Sequence, residues 1–160
     1  MVKLCWIGLG ANLGALAATL CAARLALRAL SWEALVVSPL VCSAPWGRTD
    51  QPDFLNQVVG FRPRWDPLTT LGCLQAVERA HGRLRETRWA PRTLDLDMLT
   101  WPGPAADSPN LILPHPGIAL RRFVLQPWAA VAPDVTVEGL GTVAALLAAC
   151  PDQGSVAWVS

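Results

Sequence analysis

Residues 4–30, LCWIGLGANLGALAATLCAARLALRAL, change their hydrophobic pattern part-way along. Residues 2–8 have the composition of a β-strand, whereas residues 14–30 repeat leucine and alanine every three or four positions. The glycine-containing centre between them predicts a tight turn, with the side chain of Asn12 capping the helix that follows. The stretch therefore predicts a strand, a turn and an amphipathic helix whose apolar face packs on a sheet.

The same stretch carries no charge between Lys3 and Arg24, a pattern that signal peptides and membrane spans share. The central glycines and the helical period argue against both, so we expect a cytoplasmic protein without a membrane partner. Cysteine usage agrees, because the cysteines form no CxxC pair and predict free thiols in a reducing compartment. They stand at positions 5, 21, 42, 73 and 150.

Further strands and helices follow in alternation. Residues 32–42 predict a second strand, residues 54–63 a third, and residues 93–101 a fourth. Residues 66–82 predict a helix with Pro67 at its first position, as helix starts favour. The order strand, helix, strand, strand, helix, strand is the split βαβ arrangement. It predicts an α+β, ferredoxin-like α/β sandwich with a mainly antiparallel sheet and helices packed on it.

Less regular patterns complete this outline. The second helix carries Leu68, Leu71, Leu74 and Val77 at a spacing of three, which predicts one apolar face toward the sheet. A last helical region is expected from about residue 121, and a further strand near residues 135–137.

Composition limits the classes of function. The chain has 160 residues, of which 52% are hydrophobic and 16% charged, and this predicts one globular domain over residues 1–160. A net charge of +1 provides no basic field of the kind that concentrates nucleic acid or an anionic membrane. Any phosphate binding must therefore depend on a local cluster of charges.

Such a cluster occurs in residues 88–99, RWAPRTLDLDML. Asp95 and Asp97 are two residues apart on the predicted fourth strand, so both project to one face with backbones roughly 7 Å apart. Two carboxylates so placed can hold Mg²⁺ when substrate phosphates and water complete the ligand set. A pair of solvated acids, or acids paired with nearby arginines, is the alternative that the spacing alone leaves open.

Arginines surround the acidic pair. Arg83, Arg85, Arg88 and Arg92 fall within ten residues, in a chain with a single lysine. Because a guanidinium binds phosphate through two parallel hydrogen bonds, the cluster favours a phosphate site over a merely solubilising loop.

Other polar residues are less specific. Gln75 and Glu78 lie three apart on one predicted helix face and could bond a base or a ribose, although such a pair is also typical of exposed helix positions. His115 lies in the turn-like LPHPG and, taken alone, favours a structural role. His81, beside Gly82, favours a cap at the helix C-terminus.

Taken together, these segments resemble the 6-hydroxymethyl-7,8-dihydropterin pyrophosphokinase family of folate biosynthesis. The resemblance rests on GANLG (10–14), DQPDFLN (50–56), RWAPRTLDLDML (88–99), LPHP (113–116) and RRF (121–123). It implies diphosphoryl transfer from ATP to the hydroxymethyl oxygen of the pterin, with AMP as the other product. It further implies that two Mg²⁺ ions are held by Asp95 and Asp97.

The resemblance also implies residue roles. Catalytic roles are implied for Arg83, Arg92, Asp95 and Asp97. ATP contacts are implied for Gln75, Glu78, Arg83, Arg85, Trp89, Arg92, Met98, His115 and Arg121. Pterin contacts are implied for Ser43, Ala44, Trp46, Phe54, Asn56 and Phe123, with the two phenylalanines stacking on the flat ring and the asparagine reading its polar edge.

Two positions depart from the family pattern, and two alternative functions are considered. Asn110 and Ile112 stand where some family members present Arg and Thr to the nucleotide. A non-catalytic nucleotide- or pterin-binding module on the same fold would predict loss of the acidic pair or its arginines. An RNA-binding ferredoxin-like domain would require a basic sheet with exposed rings. The partners expected are therefore the two small-molecule substrates, with no nucleic acid, and the protein is expected to be a monomer.

Overall fold

The computed structural model describes residues 3–45, 49–82, 93–104, 106–154 and 156–160. The first elements are β1 (Cys5–Ala11), α1 (Leu16–Ala29), β2 (Val36–Val37), β3 (Val41–Ser43), β4 (Phe54–Phe61), α2 (Pro67–Ala80) and β5 (Asp95–Thr100). They are followed by β6 (Ala106–Ser108), β7 (Leu111–Leu113), α3 (Arg122–Val131), β8 (Thr136–Val137), β9 (Gly141–Thr142), α4 (Val143–Ala149) and β10 (Val156–Trp158).

The main sheet has the order β10-β3-β4-β1-β5, and β2 pairs with β4 beside β3. Every neighbouring pair is antiparallel. Without β10 and the two-residue β2, the strand order is β3-β4-β1-β5. Helix α1 follows β1 and helix α2 connects β4 to β5, as in split βαβ units. The predicted α+β, ferredoxin-like sandwich is confirmed.

Helices cover both faces of the sheet. On one face, Leu20 and Leu27 of α1 and Leu74 of α2 pack on the central strands, which contribute Ile7 and Phe61 to the same core. On the other face α3 and α4 pack over Trp6, Val58 and Leu99. The Trp6 and Trp128 rings lie 5.5 Å apart at 42°. Gly60 makes room for this pair, because a Cβ there would come within 2.7 Å of the Trp6 ring.

The turn after β1 differs from the prediction. The strand continues past its predicted end at Gly8, and Asn12 does not cap α1. The N-cap position is Ala15, which has no side-chain cap bond. Asn12 instead donates from Nδ2 to Gln51 Oε1 at 2.7 Å and to the Pro52 carbonyl at 3.0 Å. The side chain therefore ties this turn to the loop before β4, a partner distant in sequence.

The second predicted strand is divided. β2 and β3 are separated by Ser38 and its neighbours, and Ser43, predicted to lie in the following loop, ends β3. The buried Ser38 hydroxyl accepts the Val58 N–H at 2.9 Å and donates to the Pro39 carbonyl at 2.8 Å. Because proline has no N–H for the ladder, the strand breaks there and resumes in a shifted register.

The second helix begins as predicted. Asp66 is its N-cap and accepts the Thr69 N–H at 3.0 Å, and Pro67 is the first helical residue. The bonds from Thr69 hold the pKa of Asp66 below its usual value. Leu68, predicted to face the sheet, is 57% exposed, because the buried face of α2 follows Thr70, Leu74 and Glu78 at a spacing of four and Leu68 lies off this face. His81 is the C-cap, as expected.

The later part of the chain was less predictable. α3 and β8 lie close to their predicted positions, whereas the β6–β7 hairpin, α4 and β10 had no counterpart in the prediction. Across the part of the chain that the structure describes, every helix is too short or too polar to cross a bilayer.

Candidate active site

Two glycines of β1 face the acidic pair of β5. Gly8 lies opposite Asp97 and Gly10 lies opposite Asp95 in the antiparallel register. Residues opposite each other in such a pair project to the same face, so the two carboxylates border a surface on which the neighbouring strand has no side chains. The intervening residues Leu94, Leu96 and Met98 are buried in the core, which confirms the predicted alternation.

A cleft of about 560 Å³ opens at this position. Its walls include every predicted site residue that the structure describes: Ser43, Ala44, Phe54, Asn56, Gln75, Glu78, Asp95, Asp97, Met98, His115, Arg121 and Phe123. Asn110 and Ile112 line it as well. Arg83, Arg85, Trp89, Arg92 and Trp46 lie outside the described residues.

The acids and one arginine form a charged centre. Arg121 Nη1 lies 3.3 Å from Asp97 Oδ2, and both side chains are partly exposed. The Arg121 side chain passes over Gly117, where a Cβ would lie 2.8 Å from its Nε. Within the described residues, no group of three acidic, histidine or cysteine side chains converges as a complete metal site. A divalent cation held here would therefore draw its remaining oxygens from substrate and water.

His115 is held as a neutral hydrogen-bond donor. Its Nδ1 accepts the Gly117 N–H at 3.0 Å, which leaves the proton of the neutral ring on Nε2. Burial, assisted by the positive charge of Arg121 and opposed by Asp95, lowers the pKa of His115 to about 4. The backbone N–H of His115 donates to the backbone carbonyl of Leu99 at 2.8 Å, so β5 holds the backbone that carries the ring.

Glu78 is buried rather than exposed on its helix. Only 3% of the residue is accessible, and its Oε2 accepts the Leu96 N–H at 3.0 Å. Because Leu96 lies between Asp95 and Asp97, this bond ties α2 to the backbone of the acidic pair. The helical spacing could not reveal this contact, since it depends on how α2 packs on β5.

The opposite wall presents an amide and two rings. Asn56 donates from Nδ2 to Ser43 Oγ at 2.7 Å, and both residues are buried. A Cβ at Gly10 would lie 3.0 Å from Asn56 Oδ1, so the glycine also leaves room for this amide. Phe54 and Phe123, on β4 and α3, line the cleft beside it. Neither glycine was predicted to face a site, although the alternation of Ile7, Leu9 and Ala11 with glycine was a usable signal.

Residues 6–133 match the family model of 7,8-dihydro-6-hydroxymethylpterin-pyrophosphokinase. The chain belongs to this family. Relatives named 2-amino-4-hydroxy-6-hydroxymethyldihydropteridine pyrophosphokinase include one from Pseudomonas aeruginosa, 42% identical over 155 residues and covering 96% of each chain. Another, from Methylorubrum extorquens, is 39% identical over 135 residues, covering 84% of this chain and 85% of the relative.

Solved structures agree in fold. The HPPK-DHPS protein in complex with substrates superposes with a TM-score of 0.68 at 11% identity, covering 92% of this chain and 43% of that one. Wild-type Plasmodium falciparum HPPK-DHPS with pteroate gives 0.68 at 13% identity, covering 91% and 42%. This chain thus spans less than half of those proteins. At such low identity the likeness shows the shared fold alone.

Proposed function

We propose that this chain transfers the diphosphoryl group of ATP to the hydroxymethyl oxygen of 6-hydroxymethyl-7,8-dihydropterin in folate biosynthesis. Family membership supports the reaction class. The structural observation that carries it is the pair Asp95 and Asp97 on one face of β5, opposite two glycines in a cleft large enough for small-molecule substrates.

The reaction is an in-line displacement at the middle phosphorus. The pterin hydroxyl oxygen forms a bond to the β-phosphorus, the bond from that phosphorus to the α–β bridging oxygen breaks, and AMP leaves with this oxygen. The hydroxyl proton is released. Such a transfer depends on alignment and charge neutralisation more than on covalent help from the protein.

Asp95 and Asp97 are proposed to hold two Mg²⁺ ions together with the ATP phosphates. The donor set fits, because Mg²⁺ prefers oxygen ligands and is usually bound by one or two carboxylates plus phosphates and water. When bound, the ions neutralise phosphate charge and orient the triphosphate. The Arg121 guanidinium, 3.3 Å from Asp97, keeps that carboxylate turned toward the cleft.

Nucleotide contacts are proposed for the wall formed by α2, β5 and the His115 turn. Gln75 and Met98 line this wall, and the His115 Nε2–H is a donor for a phosphate or ribose oxygen. Because the ring is neutral at physiological pH, it provides a hydrogen bond without adding charge. Glu78 is proposed as a nucleotide contact that also supports β5, because it lines the cleft and its Oε2 accepts the Leu96 N–H. Phosphate clamping by Arg83 and Arg92, with Arg85 and Trp89, stays a proposal from the resemblance.

The pterin is proposed to bind at the opposite wall. Phe54 and Phe123 provide ring faces for stacking on the flat heterocycle. Asn56 provides an amide that Ser43 orients through one N–H of Nδ2, and the amide also carries an acceptor oxygen and a second N–H for the pterin edge. Ala44 and Trp46 complete the proposed pocket.

We further infer that the enzyme acts as a monomeric unit of residues 1–160 in the cytoplasm. Both core clusters pack on the same sheet, and the cysteines of the described residues are free thiols, which suits a reducing compartment. A non-catalytic binding module is not favoured, because both aspartates are present and face the cleft.

The proposal is tested with purified protein, Mg-ATP and 6-hydroxymethyl-7,8-dihydropterin. The expected products are AMP and the pterin diphosphate, separated by chromatography and identified by mass. Formation of ADP, or absence of turnover by folded protein, would reject the assignment. Omitting the pterin controls for simple hydrolysis of ATP.

A further inference from the structure

Residues near the end of the chain contact two parts of the pterin wall of the cleft, β3 and the start of α3. Residues 150–154 and 156–159, here named the C-terminal clasp, lie beyond residues 6–133 that match the family model. We propose that the clasp sets the geometry of the pterin wall and that Asp152 is a positioning residue for it. The proposal rests on the proposed function in one respect, since the ligand at this wall is taken to be the pterin.

One end of the clasp extends the sheet. β10 pairs antiparallel with β3, with Val156 opposite Ser43, and the Val159 N–H donates to the Leu40 carbonyl at 3.0 Å. Ser43 accepts the hydrogen bond that orients Asn56. Because β3 has only three residues, pairing on both of its edges limits its movement. The clasp therefore supports the strand that orients the pterin-reading amide.

The other end of the clasp reaches the start of α3. The Arg122 N–H donates to Asp152 Oδ2 at 3.4 Å, and the Gly154 N–H donates to Asp152 Oδ1 at 2.8 Å, which fixes the carboxylate. The N-cap residue Arg121 makes no cap bond with its own side chain. Asp152 thus supplies, from a distant segment, an acceptor for the first backbone N–H of α3, at the end of the helix where negative charge is favourable.

The first turn of α3 depends on this support. Pro127 lies inside the helix and has no N–H, so position 127 cannot donate a helical hydrogen bond back to the first turn. The turn that presents Phe123 and Arg121 to the cleft is therefore weaker than an ordinary first turn. Cys150 anchors the clasp beneath it, buried in the core cluster that α3 and α4 form.

These contacts connect the clasp to the two parts of the pterin wall that carry Phe123 and Ser43. Loss of the Asp152 cap should let the first turn of α3 fray, so that Phe123 loses its fixed position against the pterin. The acidic pair lies on β5, at the opposite edge of the sheet from β10, and Arg121 is tied to Asp97 by its own ion pair. The chemical step should therefore change less than pterin binding.

The test compares Asp152→Ala, Asp152→Asn and Asp134→Ala with the unmodified enzyme. Asp134 is an exposed acid just beyond the other end of α3, so its replacement makes the same charge change away from the cap. We expect Asp152→Ala to raise the KM for the pterin about three- to tenfold with kcat within about twofold, as loss of a helix cap predicts. Asp152→Asn, which caps as well as aspartate, should restore the KM, and Asp134→Ala should match the unmodified enzyme.

Deletion of residues 156–160 tests the strand end separately, and it should also raise the pterin KM. Amide hydrogen exchange provides a readout that needs no turnover: Arg122 and Phe123 should exchange faster in Asp152→Ala, and Asp152→Asn should reverse this. If Asp152→Ala leaves both the pterin KM and the amide exchange of α3 unchanged in an active enzyme, the proposed role of the clasp is wrong. Lack of turnover by the unmodified protein rejects the proposed function instead, and the exchange measurement still decides whether Asp152 supports α3.

Discussion

The two faces of β5 place neighbouring residues in opposite environments. Leu96 on one face is 5% exposed and packs in the core beneath α1 and α2. Asp95 and Asp97 on the other face border an open cleft with glycines on the adjacent strand. Strand alternation thus separates the side chains that stabilise the fold from those proposed to act on substrate. Substitutions on the two faces should therefore have different consequences.

Asp97→Ala is expected to have the largest effect on catalysis. Removing a proposed metal ligand should lower kcat at least about a thousandfold, or about 4 kcal/mol in barrier. Its effect on the free energy of unfolding should stay below about 1 kcal/mol, because the lost ion pair with Arg121 is partly exposed. AMP formation and urea denaturation measure the two quantities. Asp107→Ala, at the exposed position of β6, is the matched control. Unfolding of the Asp97 variant would show that this face of β5 is needed for the fold.

Leu96→Ala should have the reverse effect. Truncating this buried side chain is expected to lower the free energy of unfolding by about 2–5 kcal/mol. Its backbone N–H still bonds to Glu78, so the folded fraction should keep a kcat within about threefold of the original. Leu25→Ala, at a position 71% exposed on α1, should have almost no effect in the same urea titration. Equal loss in both variants would contradict the assigned burial.

Glu78→Ala tests the connection between α2 and the acidic pair. It leaves the Leu96 N–H without this acceptor in a buried position, at an expected cost of about 1–3 kcal/mol in unfolding free energy. Glu78→Gln keeps an oxygen acceptor and should recover a large part of that stability. The KM for Mg-ATP should follow the same order. If both variants behave alike, the hydrogen bond is not what the carboxylate contributes.

The smallest effect is expected from the protonation of His115. Burial lowers the pKa of the folded-state ring to about 4, below the usual value of 6.5, so the unfolded chain binds more protons between these values. Stability should therefore fall as pH decreases through this window, by on the order of 1 kcal/mol from His115 at pH 5. His115→Gln should make the difference in unfolding free energy between pH 7 and pH 5 smaller. An unchanged difference would mean that the folded ring titrates normally.

Much of the site could be predicted where neighbouring residues carried the signal. The period of residues 93–101 placed both aspartates on one face, and Asp66 with Pro67 marked the start of α2. The resemblance supplied most of the binding residues, and those described by the structure share one cleft. Their individual roles stay predictions until the variants are measured.

The wrong predictions share a physical cause. Asn12 was expected to cap the adjacent helix but bonds to Gln51 and Pro52. For Glu78 the ATP contact stays a prediction, and only the alternative of an exposed helix position is wrong, because the residue is buried against β5. Both side chains have partners that are distant in the sequence. Leu68 is apolar yet exposed, since the buried face of α2 runs through Thr70, Leu74 and Glu78, two of which are polar and gave no apolar signal.

The sequence by itself determined the split βαβ order of residues 5–100, the shared face of Asp95 and Asp97, and the family. These are local properties, because side-chain alternation and helical period follow from backbone geometry within a few residues. Only the tertiary structure decided that Gly8 and Gly10 face the acids, that His115 is neutral, and that Asp152 reaches the start of α3. Strand register, burial and contacts between distant segments depend on how the whole chain packs, and no short window of residues contains that information.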